Sequence, residues 1–526
     1  MNIKRLSKLT LACVAAGCVV SAIAAKPSTT YRFTTDIPDS ITIDDKVKTS
    51  IGTLRFDDGY PTPDTVETIY DELDFQRGVQ SFLMAQSGAA IEALRRSIEA
   101  FGPANTTHLM WEEPLRLTSQ VMFLTPNTTV LYHMHWLDLN DGPVVIETPA
   151  NVLGLVDDHW FQYVTDFGNA GEDRGAGGKY LFVPPNYEGE LPTDDEFIIR
   201  HSKTYGNWVI ERGFLSLNGR PDAAQCDLYG CSISDDEAFL GPDNIKDNYK
   251  VYPYGEEPGE MNFINVSGVA FNTVHATDFG FWDEINTVVQ ENPNQAFNPE
   301  VLGLLARIGI KKGQDFNPDT RMTNILTDAA NVGHAASRVV TYENRQDFSL
   351  YPDSTTWETG FPGGSEQFLA DGVRLHDQKV RFHFYATGIT PAMVVPIIGG
   401  GSQYSMGLRD SDGSPFDGAK TYRIVVPKDV PARRFWALTV YASQTRSMVQ
   451  TDQVQPEISS NNRDIVENED GSTDVWFGPE LPEGVNNGNW IQTVPGQGWT
   501  TLWRIYGPEQ EWFDKSWELN DIELMN

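Results

Sequence analysis

His133-Met134-His135 places two imidazoles one residue apart, inside an apolar and aromatic run that reads as a strand. Side chains two apart on a strand share a face, so both rings would point the same way, as two ligands of a divalent metal must. His159, Asp157 or Asp158 would supply a third ligand. The plainer reading is a histidine pair lining a polar face or an interface, since the remaining histidines show no ligand spacing.

A second constellation lies near the C-terminus. Asn489-Trp490 precedes a run whose one register is Thr500, Leu502, Arg504 and Tyr506, and whose other is Trp499, Thr501, Trp503 and Ile505. Six of the thirteen tryptophans fall between Trp476 and Trp517, enough to wall a cleft. With an arginine and an asparagine in it, such a cleft would hold a flat, partly apolar ligand. A packed aromatic core, with Arg504 paired to a carboxylate, accounts for the same residues. Asn127 and Tyr132 complete the ligand-binding candidates, although turn chemistry explains Asn127 after Pro126 better.

No Gly-x-Ser-x-Gly elbow, His-Glu-x-x-His, EF-hand loop or Gly-rich phosphate cradle is present. Among 73 acidic residues, sequence order names no acid–base pair, so catalytic residues and any cofactor beyond a divalent metal stay unassigned. Cys226 and Cys231, in Cys-Asp-Leu-Tyr-Gly-Cys, most simply close a local disulfide in an oxidising compartment.

The elements that would position these groups alternate in texture. Thr65 to Ala85 and Ala89 to Phe101 carry helical periodicity and predict two helices. Short β-branched or aromatic runs follow at Gln120–Leu124, Val130–Leu137, Val144–Thr148, Trp160–Thr165, Tyr180–Val183, Phe197–Arg200 and Asn207–Glu211, separated by turn residues. Trp282–Gln290, Pro299–Ile308 and Arg321–Tyr342 predict helices, with Pro299 at a helix start. Strands are predicted again at Lys379–Thr387, Thr421–Pro427, Phe435–Tyr441, Thr473–Phe477 and Trp499–Tyr506.

At 526 residues the chain exceeds one ordinary core. Its formal charge of −34, from 39 basic and 73 acidic residues, repels phosphate backbones and argues against nucleic acid as a partner. Met1–Lys8 is basic, Leu9–Ile23 apolar, and Ala22-Ile23-Ala24 has the small-x-small form of a cleavage site. A soluble periplasmic or secreted product is expected, with no transmembrane segment after signal removal. Ala15-Ala16-Gly17-Cys18 gives the alternative of a lipid anchor through Cys18.

Thr125-Pro126-Asn127-Thr128, Leu131-Tyr132, Trp136-Leu137-Asp138-Leu139, Gly142-Pro143-Val144-Val145 and Tyr180-Leu181 with Val183-Pro184-Pro185 resemble the N-terminal domain-of-unknown-function family 1254. Asp412-Gly413, Asp417-Gly418, Tyr422-Arg423-Ile424, Phe435-Trp436-Ala437-Leu438-Thr439 and Arg504-Ile505-Tyr506-Gly507-Pro508 are similar to the C-terminal family 1214. The resemblance departs at Thr129, where the family commonly has Asp, and at His133 and His135, where it commonly has small residues. It implies two antiparallel β-sandwich modules, one immunoglobulin-like and one jelly-roll-like, bracketing a helical region, and no settled reaction.

The expected fold class is therefore mainly β with a helical insert (α+β). The expected segments are a signal peptide (1–25), an arm (26–64), a helical lead-in (65–114), a β-sandwich (115–220), a loop and helical insert (221–345) and a second β-sandwich (346–526). The leading functional expectation is an enzyme acting on a small organic ligand in a cleft within or between the β modules. The alternative is a non-catalytic cell-envelope binding or structural protein. A homo-oligomer is expected, formed through sheet edges or the arm.

Overall fold

The computed structural model describes residues 33–112, 115, 121–150, 152–193, 195–214, 242–345, 348–352, 354–361, 364–462 and 464–525. The leader, the Cys18 anchor and the Cys226–Cys231 pair lie outside the described residues. The chain divides into two compact units, up to Ile69 and from Tyr70 onward. In the first, Lys46–Thr49 and Gly52–Asp57 form an antiparallel hairpin.

Helix α1 runs unbroken over Pro63–Glu99, where the sequence predicted two helices. The gap expected between Ala85 and Ala89 is instead a packing site, because a Cβ on Gly88 would lie 2.6 Å from the Trp160 ring. From Tyr70 on, α1 serves two cores. Phe82, Ala85 and Ala89 pack on α2 (Gly280–Glu291), α3 (Pro299–Arg307) and α4 (Thr320–Tyr342), while Ala90, Ile91, Leu94 and Ile98 pack on a sheet. Asn298 caps α3 by accepting from Glu300 N at 2.8 Å, with Pro299 in the first turn as expected.

Gly333 of α4 meets Phe82 so closely that an added Cβ would sit 2.5 Å from its ring. Gly333→Val should destabilise the fold by about 1–3 kcal/mol through overpacking, read as a lower urea midpoint.

The N-terminal β module has a six-stranded sheet in the order β10-β1-β2-β8-β4-β5. Its strands are β1 (Thr107–Met110), β2 (Val130–Asp138), β4 (Val152–Asp158), β5 (Tyr163–Gly168), β8 (Gly206–Phe214) and β10 (Asn262–Asn265). A four-stranded sheet, β7-β6-β3-β9, covers one face with β3 (Val144–Thr148), β6 (Gly178–Val183), β7 (Ile198–His201) and β9 (Lys250–Pro253). Leu137, Val156 and Val209 of the first sheet share a core with Ile146, Phe182 and Val251 of the second.

The C-terminal module repeats this two-layer plan. One sheet is β11-β12-β18-β14-β15, comprising Glu358–Thr359, Ser402–Gly407, Gly498–Pro508, Ala432–Ala442 and Glu457–Ser459, with Phe416–Asp417 also pairing β18. The other is β17-β16-β13-β19, comprising Trp490–Gln492, Thr473–Gly478, Tyr422–Val426 and Glu523–Leu524. The protein is thus mostly β with several helices. Most ladders are antiparallel, but β6/β7, β1/β10 and β16/β17 run parallel.

Lys379–Thr387 is a correction. The predicted strand is helix α5, His376–Tyr385. From Val380 to Tyr385 every residue is buried, so neither a helical nor a strand period was printed in the sequence.

Candidate functional site

Strand alternation decides what meets between the two β modules. On β2, Tyr132, Met134 and Trp136 face away from the covering sheet, as do Trp208 and Ile210 of β8 and Leu155 of β4. On β18 the two registers part as their spacing predicts. Trp499, Trp503 and Ile505 enter the C-terminal core, while Leu502 joins Tyr132, Trp208 and Leu155 in a core shared by both modules.

The loop 125–129 locks the modules together. Arg504 Nη2 donates to Thr125 O at 2.7 Å and Nη1 to Thr439 Oγ1 at 2.7 Å. Asn127 Nδ2 donates to Tyr506 OH at 3.1 Å, and the Thr128 hydroxyl donates to Glu457 Oε1 at 2.7 Å. Asn127 Oδ1 also accepts from Thr129 N at 3.1 Å, so this residue makes its turn and holds the neighbouring module at once. Thr125, at φ 45°, takes the left-handed conformation that brings its carbonyl to Arg504.

Beside this lock is a cavity of about 80 Å³, where one water needs roughly 10–15 Å³. Phe123, Leu155, Trp208, Phe361, Phe382 and Leu502 are among its apolar walls. Its charged lining consists of Arg212, Arg381 and Arg504, with no Asp or Glu among the lining residues. Arg381 is buried and pairs with Glu358 through Nη2, yet its Nε and Nη1 have no hydrogen-bond partner among the described residues. Of the ligand-binding candidates, Asn127, Tyr132 and Arg504 line the cavity and Tyr506 is bonded to Asn127.

Residues 106–228 match a family described as a protein of unknown function, DUF1254, and residues 401–510 match another, DUF1214. The two matched segments stand in the order 1254 before 1214. No curated protein matches it. Among solved structures it is similar to the VPA0106 protein from Vibrio parahaemolyticus, at 14% identity and a TM-score of 0.50, over 86% of this chain and 100% of that one. It also aligns with a putative uncharacterized protein from Burkholderia cenocepacia, at 11% identity and a TM-score of 0.38, over 88% and 97% of the two chains. The first likeness supports the fold alone.

The cavity draws on both families. Asn127, Tyr132 and Arg212 come from the 1254 segment, Tyr404, Leu502 and Arg504 from the 1214 segment, and Phe361, Arg381 and Met393 from the chain between them.

The other candidates lie elsewhere. Asn489 and Trp490 do not line the cavity. The Asn489 amide donates to Val466 O and Asp474 O, and Trp490 Nε1 donates to Gly478 O, which fixes loops of the 1214 module. His159 is apart from His133 and His135. Its Nε2 pairs with Glu92 Oε2 at 3.0 Å and its Nδ1 accepts from Asn292, tying α1 to the end of α2. Burial would raise the Glu92 pKa, but bonds from His159 and Arg95 outweigh it and hold the carboxyl at about 2.

His133 and His135 do share a face, as predicted. They point into the interior of the 1254 sandwich, on the side of β2 opposite the cavity. There His135 meets His108 of β1 and Glu211 of β8, and candidate ligand atoms of these three residues all lie within 4.8 Å of one another. Burial pushes the Glu211 carboxyl up to about 8, opposed by the Tyr249 hydroxyl. It also pushes His133 down to about 3 and His135 down to about 4. Sequence reasoning missed His108, Glu211, Arg212 and Arg381. Continuing the predicted strand Asn207–Glu211 by one residue would have placed Arg212 beside Trp208 and Ile210, and Glu211 on the histidine side.

Proposed function

We propose that the cavity between the 1254 and 1214 modules binds a small organic anion with an apolar or aromatic body. One observation carries the reading: three guanidinium groups line a mostly apolar cavity with no carboxylate among its described lining residues. A guanidinium whose donors find no partner is costly in such surroundings, and a bound carboxylate would accept from it in the planar, paired geometry the two groups share. Phe123, Phe361, Phe382 and Trp208 supply the apolar contact.

This reading is a binding protein before it is an enzyme. An acid or base acting on the ligand would have to reach it, and the described lining residues offer no His, Cys, Asp, Glu or Lys, leaving only the phenols of Tyr132, Tyr385 and Tyr404. Asp157 and Asp166 come only as far as Ile389 N and the Thr390 hydroxyl, beside Gly388 in the wall.

Melting in the presence of benzoate and of its neutral counterpart benzamide tests the proposal. Benzoate should raise the melting temperature and benzamide should not. Arg212→Met should weaken benzoate binding about tenfold to a hundredfold by calorimetry, the worth of a hydrogen bond to a charged group. Equal responses to both probes, or an unchanged affinity in the variant, would remove charge recognition from the cavity.

A further inference from the structure

We propose that His108, His135 and Glu211 bind one divalent transition-metal ion of the zinc or iron type, closed inside the 1254 sandwich, where it staples three strands together. This site is separate from the cavity, on the other face of the same sheet, and stands or falls independently of ligand binding there.

The strands β1, β2 and β8 are consecutive neighbours in the sheet. Met110 pairs with His133, and Glu211 pairs with the same His133 from the other side. Two residues along β1 and β2, on the same face, come His108 and His135. Sheet order and alternation therefore deliver an imidazole, two more imidazoles and a carboxylate from three strands to one spot. His108 Nε2 is 3.8 Å from Glu211 Oε2, and the His108 and His135 rings are 5.4 Å apart at 29°. Tyr249 closes the group, its hydroxyl 2.7 Å from His135 Nε2.

These side chains are wholly buried, yet most of their polar atoms are idle. Among the described residues no close hydrogen bond reaches either nitrogen of His108 or His133, Nδ1 of His135 or the Glu211 oxygens, whose neighbours are His108 Nε2 at 3.8 Å and the Tyr249 hydroxyl that opposes the carboxyl's pKa shift. Each such orphan costs about 1–3 kcal/mol, so a cluster this large is a poor way to fill a sandwich that has Leu137, Val156 and Phe182 around it. A cation accepts the lone pairs of all three ligands and compensates the buried carboxylate. Two imidazoles with one carboxylate, and no thiolate, suit zinc or ferrous iron rather than a soft or an all-oxygen ion. Ligand atoms about 2.0–2.2 Å from such an ion lie roughly 3–3.5 Å from one another, within reach of small rotations from the present spacing. Lack of solvent exposure makes the site structural rather than catalytic.

The test is metal content. The full chain, purified without a metal-affinity tag, should carry about one ion per molecule by plasma mass spectrometry, or take one up on refolding with Zn(II) or anaerobic Fe(II). Co(II) loaded in its place should give visible d–d bands. Glu211→Gln and His108→Gln should each lower affinity at least about tenfold, while His133→Gln, outside the three, should retain the ion. Chelator treatment should lower the melting temperature of the wild type and leave the benzoate response of any folded protein unchanged. Wild-type protein that neither carries nor takes up an ion overturns the proposal, whatever the variants do. Equal uptake by folded Glu211→Gln and His108→Gln overturns it as well.

Discussion

Arg504→Met should destabilise the folded chain by about 3–5 kcal/mol, the largest loss expected from any single side chain in the seam between the two β modules. Arg504 is 2% exposed, and its guanidinium faces the buried Glu457 carboxylate across the Thr439 hydroxyl. It is held by Thr125 O, Pro126 O and Thr439 Oγ1, and the Thr439 hydroxyl in turn donates to Glu457. Glu457 is buried too and accepts from Thr128. Removing the guanidinium leaves the Thr125 carbonyl unpaired and Glu457 without a compensating charge, where the modules meet. Urea unfolding followed by tryptophan fluorescence reads the loss. Arg504→Lys should recover only part of it, since an ammonium lacks the fork that spans Thr125 and Thr439. A Met variant within 1 kcal/mol of wild type, on the order of an exposed pair's worth, would show that the seam does not depend on this charge.

Acid should be nearly as damaging, and His275 is the residue that shows why. It is 3% exposed, and Nδ1 donates to Ala276 O at 2.7 Å. Phe82 and Phe281 set their rings against it edge-on. Burial, assisted by the nearby charges of Arg446 and His334, lowers its pKa from 6.5 to about 4. Above pH 6.5 the imidazole is neutral in both folded and unfolded chains and has no effect on the balance. As pH falls from 6.5 towards 4 the unfolded chain takes up a proton that the folded chain refuses, so stability is lost through that window and levels off below it. The loss is about 3 kcal/mol from this side chain. His275→Asn keeps a donor near the Ala276 carbonyl without the titration. Its stability should therefore fall less between pH 7 and pH 4.5 than that of wild type, by about 2 kcal/mol. Identical pH slopes would mean that His275 titrates like a free imidazole.

Much of what positions these groups is local and was legible in the chain. Strand alternation fixed that His133 and His135 share a side, and that Arg504 and Tyr506 part from Trp499 and Trp503. Turn chemistry at Pro126-Asn127 foretold an Asx turn, and Pro299 foretold the start of α3. The order of the two domains was written in the motifs themselves. Where a segment is buried on all sides the signal vanished, as in α5, where Arg381 sits on a helix that reads as a strand. Small residues were ambiguous for a related reason. Between the two expected helices lies Gly88, which is the space into which Trp160 packs.

The sequence alone thus determined the faces: which side chains of one strand point together, and what chemistry each carries. Only the tertiary structure decided which faces meet. His108 and Glu211 lie more than a hundred residues apart, and they flank His133 and His135 because β1 and β8 chose the two edges of β2. Periodicity is a property of one segment and records no partner. Partners are selected when whole apolar faces are buried together, so a site assembled across strands, or across modules as at Arg212, Arg381 and Arg504, comes into being only with the packed core.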